Sequence, residues 1–450
     1  MKLLYIISFA LFIVTGCKVG KEYQAPEMDI PDAITTVQAN DSASLADLKW
    51  YLLFKDTILV NMIHTALENN QDMKIAAARI RQTMALKRIA AAPMFPEVSV
   101  FGEKYQENID YSGTSDINRL RAELSWELDL WGNIRWGKEA AMAEYLKTTE
   151  AQRSVKMSLI ANVAQTYFEL FASKRELQII KETGRARQEG VDLAKLRFEG
   201  GLTSETSLRQ AEVEYAKTMT LIPKVERTIV LKQNQLALLL GKMPTVYDIE
   251  VDITENIIQD SIPVGMPSYL LERRPDVRMA EQTLIAANAD VGVSLTNLFP
   301  KITLTAQYGM QSKDLSDLLT NPYSYFAGDI LAPIFAAGAN KARLKASRAA
   351  FEQQYFEYEK TVLGAFQETN NSITTFYKAK EVRALMKELE NSSRTYLELA
   401  NLQYINGVIN YLDVLDAQRL LFDAEVSLND AYLDEMTSYI LLYKALGGGW

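Results

Sequence analysis

The sequence predicts a mainly α-helical protein with membrane β-strands, built from two tandem repeats. Three observations lead to this fold class. Matching residues recur at a nearly constant spacing, two segments alternate strictly between apolar and polar residues, and a helix-forming segment from 134 to 199 contains no proline. Each repeat has the order helix, strand, strand, very long helix, turn and long helix. We therefore expect four strands and two coiled-coil helical hairpins in each chain.

The first seventeen residues are typical of an exported lipoprotein. Lys2 precedes an apolar run from Leu3 to Val14, which is too short to span a bilayer as a helix but suits a secretory signal. The following Thr15-Gly16-Cys17 completes a segment that resembles the bacterial lipoprotein box, in which the cysteine is acylated. We predict a lipoprotein signal peptide over 1–16, a lipid anchor at Cys17 and a lipid-anchored N-terminal segment over 17–56.

The composition argues against several classes of protein. The net charge is −9 and no basic tract occurs, which disfavours binding to nucleic acid. His64 and Cys17 are the only histidine and cysteine, so a metal site of the usual His/Cys kind and an intramolecular disulfide are both disfavoured. No Gly-rich phosphate loop follows a strand and no Gly-x-Ser-x-Gly occurs, so we expect neither an enzyme nor a cofactor.

A self-comparison shows that the chain consists of two copies of one unit. The offset between matching residues is 204 near the start of the unit and 206 near its end. We predict repeat 1 over 57–241 and repeat 2 over 268–450, joined by a proline-containing linker, or equatorial segment, over 242–267. The matched pairs include Leu67-Glu68 with Leu271-Glu272, Phe95-Pro96 with Phe299-Pro300, Gly132 with Gly338, Gly201 with Gly407, and Leu240-Gly241 with Leu446-Gly447.

The helices of repeat 1 can be placed from their composition and their breakers. Residues from about Thr57 to Ala92 are rich in strong helix formers, and prolines follow directly. A second helix from Ile134 to about Glu199 would be on the order of 100 Å long. Gly201 marks the turn, and a helix from Leu202 to Leu240 returns with a kink at its proline. In repeat 2, the first helix is expected to start near Arg274-Pro275-Asp276, and the hairpin to turn near Gly407.

The strand candidates have the length and alternation of membrane strands. Residues from Leu120 to Leu130 and from Lys301 to Gln311 alternate between apolar and polar, and both runs reach the roughly 9–11 residues that a tilted membrane strand needs. We predict strands at about 97–106 and 119–131 in repeat 1, and at about 301–311 and 323–335 in repeat 2. Aromatic residues at their ends are consistent with an interfacial belt; they are Phe95, Trp131, Phe299 and Phe335.

Four strands per chain cannot form a membrane structure alone. A sheet cannot leave open edges in lipid, and membrane barrels need about eight strands or more. Several chains must therefore pool their strands. Two copies would supply eight strands, and a barrel of that size is filled by side chains. Three copies would supply twelve, which a conducting duct favours.

Three segments resemble the outer-membrane efflux factor family of TolC-like channels, and specifically its lipoprotein branch, found with resistance–nodulation–division efflux systems. The start resembles the pattern Cys-x-Val-Gly-Pro-x-Tyr-x-x-Pro, with Lys21 replacing the usual proline. The resemblance covers nearly the whole chain. The three segments are Cys17-Lys18-Val19-Gly20-Lys21-Glu22-Tyr23-Gln24-Ala25-Pro26, Leu270-Leu271-Glu272-Arg273-Arg274-Pro275-Asp276-Val277-Arg278-Met279-Ala280-Glu281, and Gly407-Val408-Ile409-Asn410-Tyr411-Leu412-Asp413-Val414-Leu415-Asp416-Ala417-Gln418.

This resemblance implies a homotrimer in the bacterial outer membrane, with a 12-stranded β-barrel continued by an α-helical periplasmic tunnel. It further implies two protein partners besides the outer-membrane lipid. A periplasmic adaptor (membrane fusion) protein would dock at the hairpin tips near Gly201 and Gly407, and an inner-membrane pump of the resistance–nodulation–division type would drive export. The chain itself would be the passive channel subunit of a tripartite efflux pump for drugs, other toxic compounds or metal ions.

The second hairpin carries two candidate aperture residues. Asp413 and Asp416 are three residues apart on a helix and so share a face; in a threefold tunnel they would form two carboxylate rings that favour cations. The resemblance implies that these two are the periplasmic aperture aspartates. Some family members pair an arginine across protomers where this chain has Ile409. The first hairpin has Ser207 and Gln210 where the second has the aspartates.

Two other readings remain open on the sequence. The chain could be the outer-membrane duct of a protein (type I) secretion system, fed by a different pump. It could also be a lipid-anchored coiled-coil tether that bridges envelope layers without conducting. The tether accounts for the long helices but leaves the alternating strands unexplained.

Overall fold

The structure is a computed structural model and describes residues 18–28, 50–109, 113–247 and 268–448. The predicted signal peptide, Cys17 and most of the predicted linker lie outside the described residues. Contacts within the chain divide it into two compact units. Unit 1 contains residues 18–28, Ala77–Ala151 and Asp276–Thr361, and unit 2 contains the other described residues. Each unit draws on both repeats, so the boundary of a repeat is not the boundary of a compact unit.

Unit 1 contains a four-stranded antiparallel sheet whose strands lie side by side in chain order. The central strands come from different repeats, and Leu120 lies opposite Met310 across them. The second strand ends at Leu128, before the predicted 131, because the Asp129 carboxylate caps the next helix by accepting the backbone N–H groups of residues 134 and 135 at 2.9 and 3.0 Å. The fourth ends before the predicted 335 because Pro333 lacks an N–H. The strands are β1 Glu97–Ile109, β2 Gly113–Leu128, β3 Lys301–Ser312 and β4 Pro322–Leu331.

The two faces of this sheet differ in polarity. On one face, cross-strand polar contacts join the strands: Arg121 contacts Glu103 at 2.6 Å, and Gln307 donates to Glu123 at 2.9 Å. The opposite face consists mainly of apolar side chains that remain exposed. The alternation seen in the sequence therefore gives the sheet one polar face and one exposed apolar face. Exposed apolar-face residues include Val98, Val100, Leu120, Leu124, Tyr308, Phe326 and Ile330.

The two repeats place their helices at matching positions. The longest helix of each repeat has 67 residues, and the second begins and ends 206 residues after the first. Among the described residues, no helix combines the length and hydrophobicity needed to cross a bilayer. The helices are α1 Thr57–Asn69, α2 Gln71–Ala91, α3 Asn133–Glu199, α4 Glu205–Met219 and α5 Leu221–Leu239 in repeat 1, and α6 Ser268–Arg273, α7 Pro275–Thr296, α8 Ala339–Ile405 and α9 Tyr411–Ala445 in repeat 2.

The returning arm of the first hairpin is interrupted, whereas that of the second is continuous. α4 ends at Met219 and α5 begins at Leu221, while α9 runs for 35 residues without a break. Pro223 explains the difference because it has no N–H to donate to the carbonyl of Met219. The kink expected at this proline is thus a break three residues before it.

The expected single helix over 57–92 is two helices, separated at Asn70. Its side-chain Nδ2 donates to the carbonyl of Leu239 at 2.9 Å, and its Oδ1 accepts the N–H of Asp72 at 2.8 Å. Repeat 2 uses a different side chain for the same connection. Arg274 separates α6 from α7, and its Nη1 donates to the carbonyl of Ala445 at 2.8 Å. In both repeats, the break therefore ties the first helices to the end of the returning arm.

The core of unit 2 is formed by side chains from α1, α3, α5, α8 and α9. Asp56 caps α1 through the N–H groups of Ile58 and Leu59, and its second oxygen accepts a hydrogen bond from the Tyr167 hydroxyl of α3. This residue therefore starts one helix and attaches it to another. Fully buried members of the core include Leu59, Ile63, Leu170, Leu236 and Phe376.

Candidate functional site

Both predicted hairpin turns are tight helix ends centred on glycine. Gly201 has φ +71° and Gly407 has φ +73°, the left-handed region in which a Cβ is unfavourable. At the first turn, Leu202 N–H donates to the Arg197 carbonyl at 2.8 Å and Gly201 N–H to the Phe198 carbonyl at 2.9 Å. At the second turn, Val408 N–H donates to the Gln403 carbonyl at 2.9 Å and Gly407 N–H to the Tyr404 carbonyl at 3.0 Å. These bonds satisfy the last carbonyls of α3 and α8, so the glycines fix where the hairpins reverse.

Behind the two turns, α3, α4, α8 and α9 meet in an apolar cluster, here called the tip cluster. The rings of Tyr404 and Tyr411 lie 5.3 Å apart, and the Arg197 guanidinium lies 4.2 Å from the centre of the Tyr404 ring. Ile409 packs against the cluster and so makes an apolar contact at this position. The tip cluster joins the two hairpins of one chain. Its buried members are Ala194, Leu208, Ala211, Ala400, Tyr404, Tyr411, Val414, Leu415 and Ala417.

The second hairpin starts its returning arm with a capping box that the first one lacks. The Asn410 side chain accepts the N–H of Asp413, and an Asp413 carboxylate oxygen accepts the N–H of Asn410 at 3.1 Å. In the first hairpin, Ser204 makes no side-chain cap, and Ser207 occupies the position of Asp413. The difference follows from the side chains. Serine at the third helical position has no carboxylate that could accept the N–H of the N-cap residue, Ser204.

Asp413 and Asp416 are both exposed in the first turns of α9. Their spacing places them on one face, and the positive end of the helix dipole favours negative charge there. Asp413 also has the capping role described above. Asp416 makes no hydrogen bond or ion pair with another described residue. The two carboxylates can therefore present negative charge at the tip, and only one of them also supports the helix.

A buried arginine lies further along α3, at a position that the sequence does not single out. Arg187 is 5% exposed; its Nη1 donates to the backbone carbonyl of Glu214 at 2.9 Å and to the Thr218 hydroxyl at 2.5 Å. The Glu214 carboxylate lies 3.3 Å from the same nitrogen. Burial lowers the pKa of Arg187, while this carboxylate acts in the opposite direction. A single arginine within a highly charged helix gives no sequence signal of burial.

The segment that follows Cys17 is held in unit 1. Residues 18–28 are here called the N-terminal strap. Lys18 Nζ lies 3.3 Å from the centre of the buried Trp136 ring and forms an ion pair with Glu139. Val19 N–H donates to the Trp131 carbonyl at 3.0 Å, and Trp136 Nε1 donates to the Val19 carbonyl at 2.8 Å. The chain directly after the predicted acylation site is thus fixed beside the connection between β2 and α3.

The four aromatic residues predicted at the strand ends lie outside the strands themselves. Trp131 and Phe299 stack with 5.0 Å between ring centres, and Trp131 Nε1 donates to the Pro300 carbonyl at 2.8 Å. Phe95 and Phe335 are strongly exposed. An aromatic ring with its polar atom satisfied at the end of a strand suits a bilayer interface.

His64 is exposed on α1, where its ring lies 4.7 Å from that of Trp50. Within the described ranges, no group of three or more histidine, cysteine, aspartate or glutamate side chains is arranged to hold a metal ion. The candidate functional features are therefore the hairpin tips, the exposed apolar sheet face and the N-terminal strap.

Comparison with known proteins gives matches over nearly the entire chain. The family model for outer membrane efflux proteins matches residues 62–242 and 266–448. The antibiotic efflux pump outer membrane protein ArpC of Pseudomonas putida is 33% identical over 470 residues, which cover 100% of this chain and 96% of that protein. The cation efflux system protein CusC of Escherichia coli is 32% identical over 448 residues, which cover 97% and 96%. A crystal structure of CusC matches with a TM-score of 0.89 at 30% identity and covers 96% of this chain and 100% of that one.

The two matches of the family model fall on the two halves of the internal repeat. Relatives are matched over almost their full length, and the structural match covers 96% of this chain. On this evidence, the chain belongs to the outer membrane efflux protein family.

Proposed function

We propose that this chain is the outer-membrane channel subunit of a tripartite efflux pump. It would be a passive duct that passes small molecules from a periplasmic adaptor and an inner-membrane pump to the exterior, with no catalytic step of its own. The observation that supports this most is the sheet of unit 1. Its apolar face is exposed, and an exposed apolar face of this extent needs a partner surface or lipid.

The edges of the sheet support a trimer. β1 and β4 each pair on one side only within the described residues. Unpaired backbone groups are strongly unfavourable in lipid, so the edge of one copy must pair with the edge of another. Three copies would close twelve strands, enough for a wide lumen. The hairpins of the same three copies would then surround the periplasmic part of the duct.

The aspartates of the second hairpin are our candidates for the aperture. Asp413 and Asp416 are exposed and close to the turn at Gly407, and in a trimer they would supply six carboxylates at one end of the tunnel. Such a concentration of negative charge favours cations and opposes tight closure through repulsion. The first hairpin, with Ser207 and Gln210 at these positions, adds no carboxylate there.

The two turns are our candidates for adaptor docking. Gly201 and Gly407 are exposed, and each is followed by an exposed apolar residue. Leu202 is 77% exposed and Val408 is 71% exposed. Apolar side chains held on rigid, glycine-capped turns suit a protein partner that covers both tips. Crosslinkers placed at 202 and 408 are expected to capture the same adaptor protein, whereas a crosslinker on an exposed position of β1 should not.

The N-terminal strap supports an anchor at Cys17. Lys18 and Val19 are held beside Trp131, close to the end of β2, so acyl chains on the preceding residue would start at the level of the aromatic residues. The lipid chains would then enter the leaflet that surrounds this end of the sheet. Mass spectrometry of the mature N-terminus tests this, and an unacylated Cys17 in protein purified from membranes would contradict it.

In this proposal the pump selects which compound is exported, because the duct is passive. The relatives named for antibiotics and for cations are almost equally identical to this chain, at 33% and 32%. We therefore propose a small-molecule cargo without choosing between these classes. Export assays in a strain that carries the cognate adaptor and pump would make the choice.

Conductance of the purified protein in planar bilayers is the decisive test. We expect stable single-channel currents from a trimer, with a preference for cations. A coiled-coil tether would give no current, and that result would refute the proposed duct. The variant Asp413→Asn/Asp416→Asn should conduct with weaker cation preference. The matched control Ser207→Asn/Gln210→Asn should behave like the wild type.

A further inference from the structure

We propose that Gly190 and Tyr411 form a positioning contact for the aperture, in which a notch in α3 holds the first residue of α9. Tyr411 is then a positioning residue that sets where Asp413 and Asp416 lie. This inference rests on the proposed function and adds to it the contact that holds the tip in the arrangement seen in the structure.

The notch exists because residue 190 has no side chain. A Cβ at Gly190 would lie 2.4 Å from the Tyr411 hydroxyl oxygen, well inside van der Waals contact, but 3.6 Å from the ring carbon Cζ. The steric conflict therefore involves the hydroxyl alone. Gly190 lies inside a helix, where glycine is less favourable than alanine, and here the missing Cβ leaves room for the Tyr411 hydroxyl.

The Tyr411 ring cannot easily move aside within its site. It is 5% exposed, belongs to the tip cluster and packs against the Tyr404 ring. A tyrosine ring is stiff and has only two side-chain torsions, so a group that displaces its hydroxyl displaces the start of α9. Asp413 and Asp416 follow on the same helix, so they would move with it.

The contact is well packed, but it leaves the hydrogen-bonding capacity of the Tyr411 hydroxyl unused. Among the described residues, the buried Tyr411 hydroxyl has no hydrogen-bond partner. An unpaired buried hydroxyl is unfavourable and would gain hydrogen bonds to water if the ring left the notch. The contact is therefore suited to being both held and released.

This contact is specific to the second hairpin. The positions related by the repeat are Tyr396, in place of Gly190, and Glu205, in place of Tyr411. Both side chains are exposed. The asymmetry matches that of the aspartates, which also occur only in the second hairpin.

Three variants and one control test the contact. Gly190→Ala introduces the clash, Tyr411→Phe removes the hydroxyl, and the double variant should fit because the remaining approach of 3.6 Å is an ordinary contact. Gly184→Ala is the matched control on the same helix, since its Cβ would lie 3.5 Å from the nearest atom, the Met219 sulfur.

Amide hydrogen exchange across residues 405–420 of the purified full-length protein is the first measurement, and it does not depend on conduction. We expect exchange on the order of tenfold faster in Gly190→Ala. Exchange in Tyr411→Phe should be slower than in the wild type, because the unpaired hydroxyl is gone. The double variant should resemble Tyr411→Phe, and Gly184→Ala should resemble the wild type.

Channel opening in planar bilayers is the second measurement. Gly190→Ala should raise the fraction of time spent open, Tyr411→Phe should lower it, and the double variant should return to the level of Tyr411→Phe. The proposal is overturned if Gly190→Ala matches Gly184→Ala, or if Tyr411→Phe does not rescue it. If the wild type carries no current, the duct is refuted, while hydrogen exchange still decides whether this contact holds the tip.

Discussion

Alanine substitutions of Asp413 and Asp416 should affect the tip differently, although the two residues look equivalent in the sequence. The Asp413 carboxylate accepts the N–H of Asn410 at 3.1 Å and completes a capping box. Asp416 is exposed and makes no hydrogen bond or ion pair with another described residue. Asp413→Ala therefore removes a helix cap and a charge, whereas Asp416→Ala removes a charge alone.

The size of the difference follows from the geometry of the cap. Losing the hydrogen bond that the Asp413 carboxylate accepts costs about 1 kcal/mol of helix stability, and this corresponds to roughly a fivefold change in a local opening equilibrium. Asp413→Ala should thus speed amide exchange near the start of α9 about fivefold, and Asp416→Ala should leave it nearly unchanged. Asp413→Asn keeps an oxygen that can accept the Asn410 N–H, so its exchange should stay close to that of the wild type.

The cation preference of the channel should not distinguish the two positions in the way that amide exchange does. Each substitution removes three carboxylates from a trimer, so Asp413→Asn and Asp416→Asn should weaken cation preference to a similar extent. Hydrogen exchange and reversal potentials measured on the same preparations separate the two effects. Equal exchange in the two alanine variants would refute the capping role, and unchanged reversal potentials in both asparagine variants would refute the aperture.

Three further outcomes are expected. Arg187→Met leaves Glu214 without its cation and should lower the free energy of unfolding by about 3 kcal/mol; Arg187→Met/Glu214→Leu should recover most of this in thermal unfolding. Burial raises the pKa of Tyr432 to about 12, so its contribution to stability is complete below about pH 10 and is lost as the pH rises through 12. Tyr432→Phe should remove this loss, worth up to about 3 kcal/mol, in alkaline unfolding. Trp136→Phe removes the hydrogen bond to Val19, about 1 kcal/mol, and should speed proteolysis within the N-terminal strap.

The features that could be predicted from the sequence are those with a local physical cause. The alternation from Leu120 to Leu128 determines which side chains share a face of β2, whatever the strand pairs with. Gly201 and Gly407 end helices because a left-handed residue is needed there. The capping box at Asn410 and Asp413 also has a local signature, an asparagine followed three residues later by an acid, and it could have been recognised.

The contacts within the candidate site could not be predicted, because their partners are far apart in the chain. Gly190 and Tyr411 belong to different repeats, and nothing near either residue indicates the other. Arg187 sits in a helix rich in charge, where only the packing of α4 against α3 shows that it is buried. Sequence patterns report which residues share a face of one element, but not which element will cover that face.

The helix breaks at Asn70 and Arg274 show the same division between local and tertiary causes. Pro275 predicts the second break. A proline is favoured in the first turn of a helix and disfavours the helical conformation of the residue before it, so Arg274 is expected to lie outside the helix. No proline marks the first break, and the composition of 57–92 predicts one continuous helix. Only the folded chain brings the carbonyl of Leu239 within 2.9 Å of the Asn70 side chain. The sequence by itself determined the repeat, the strand faces and the hairpin turns, since these depend on neighbours in the chain. The tertiary structure decided where helices break and which side chains are buried, since these depend on what packs against them.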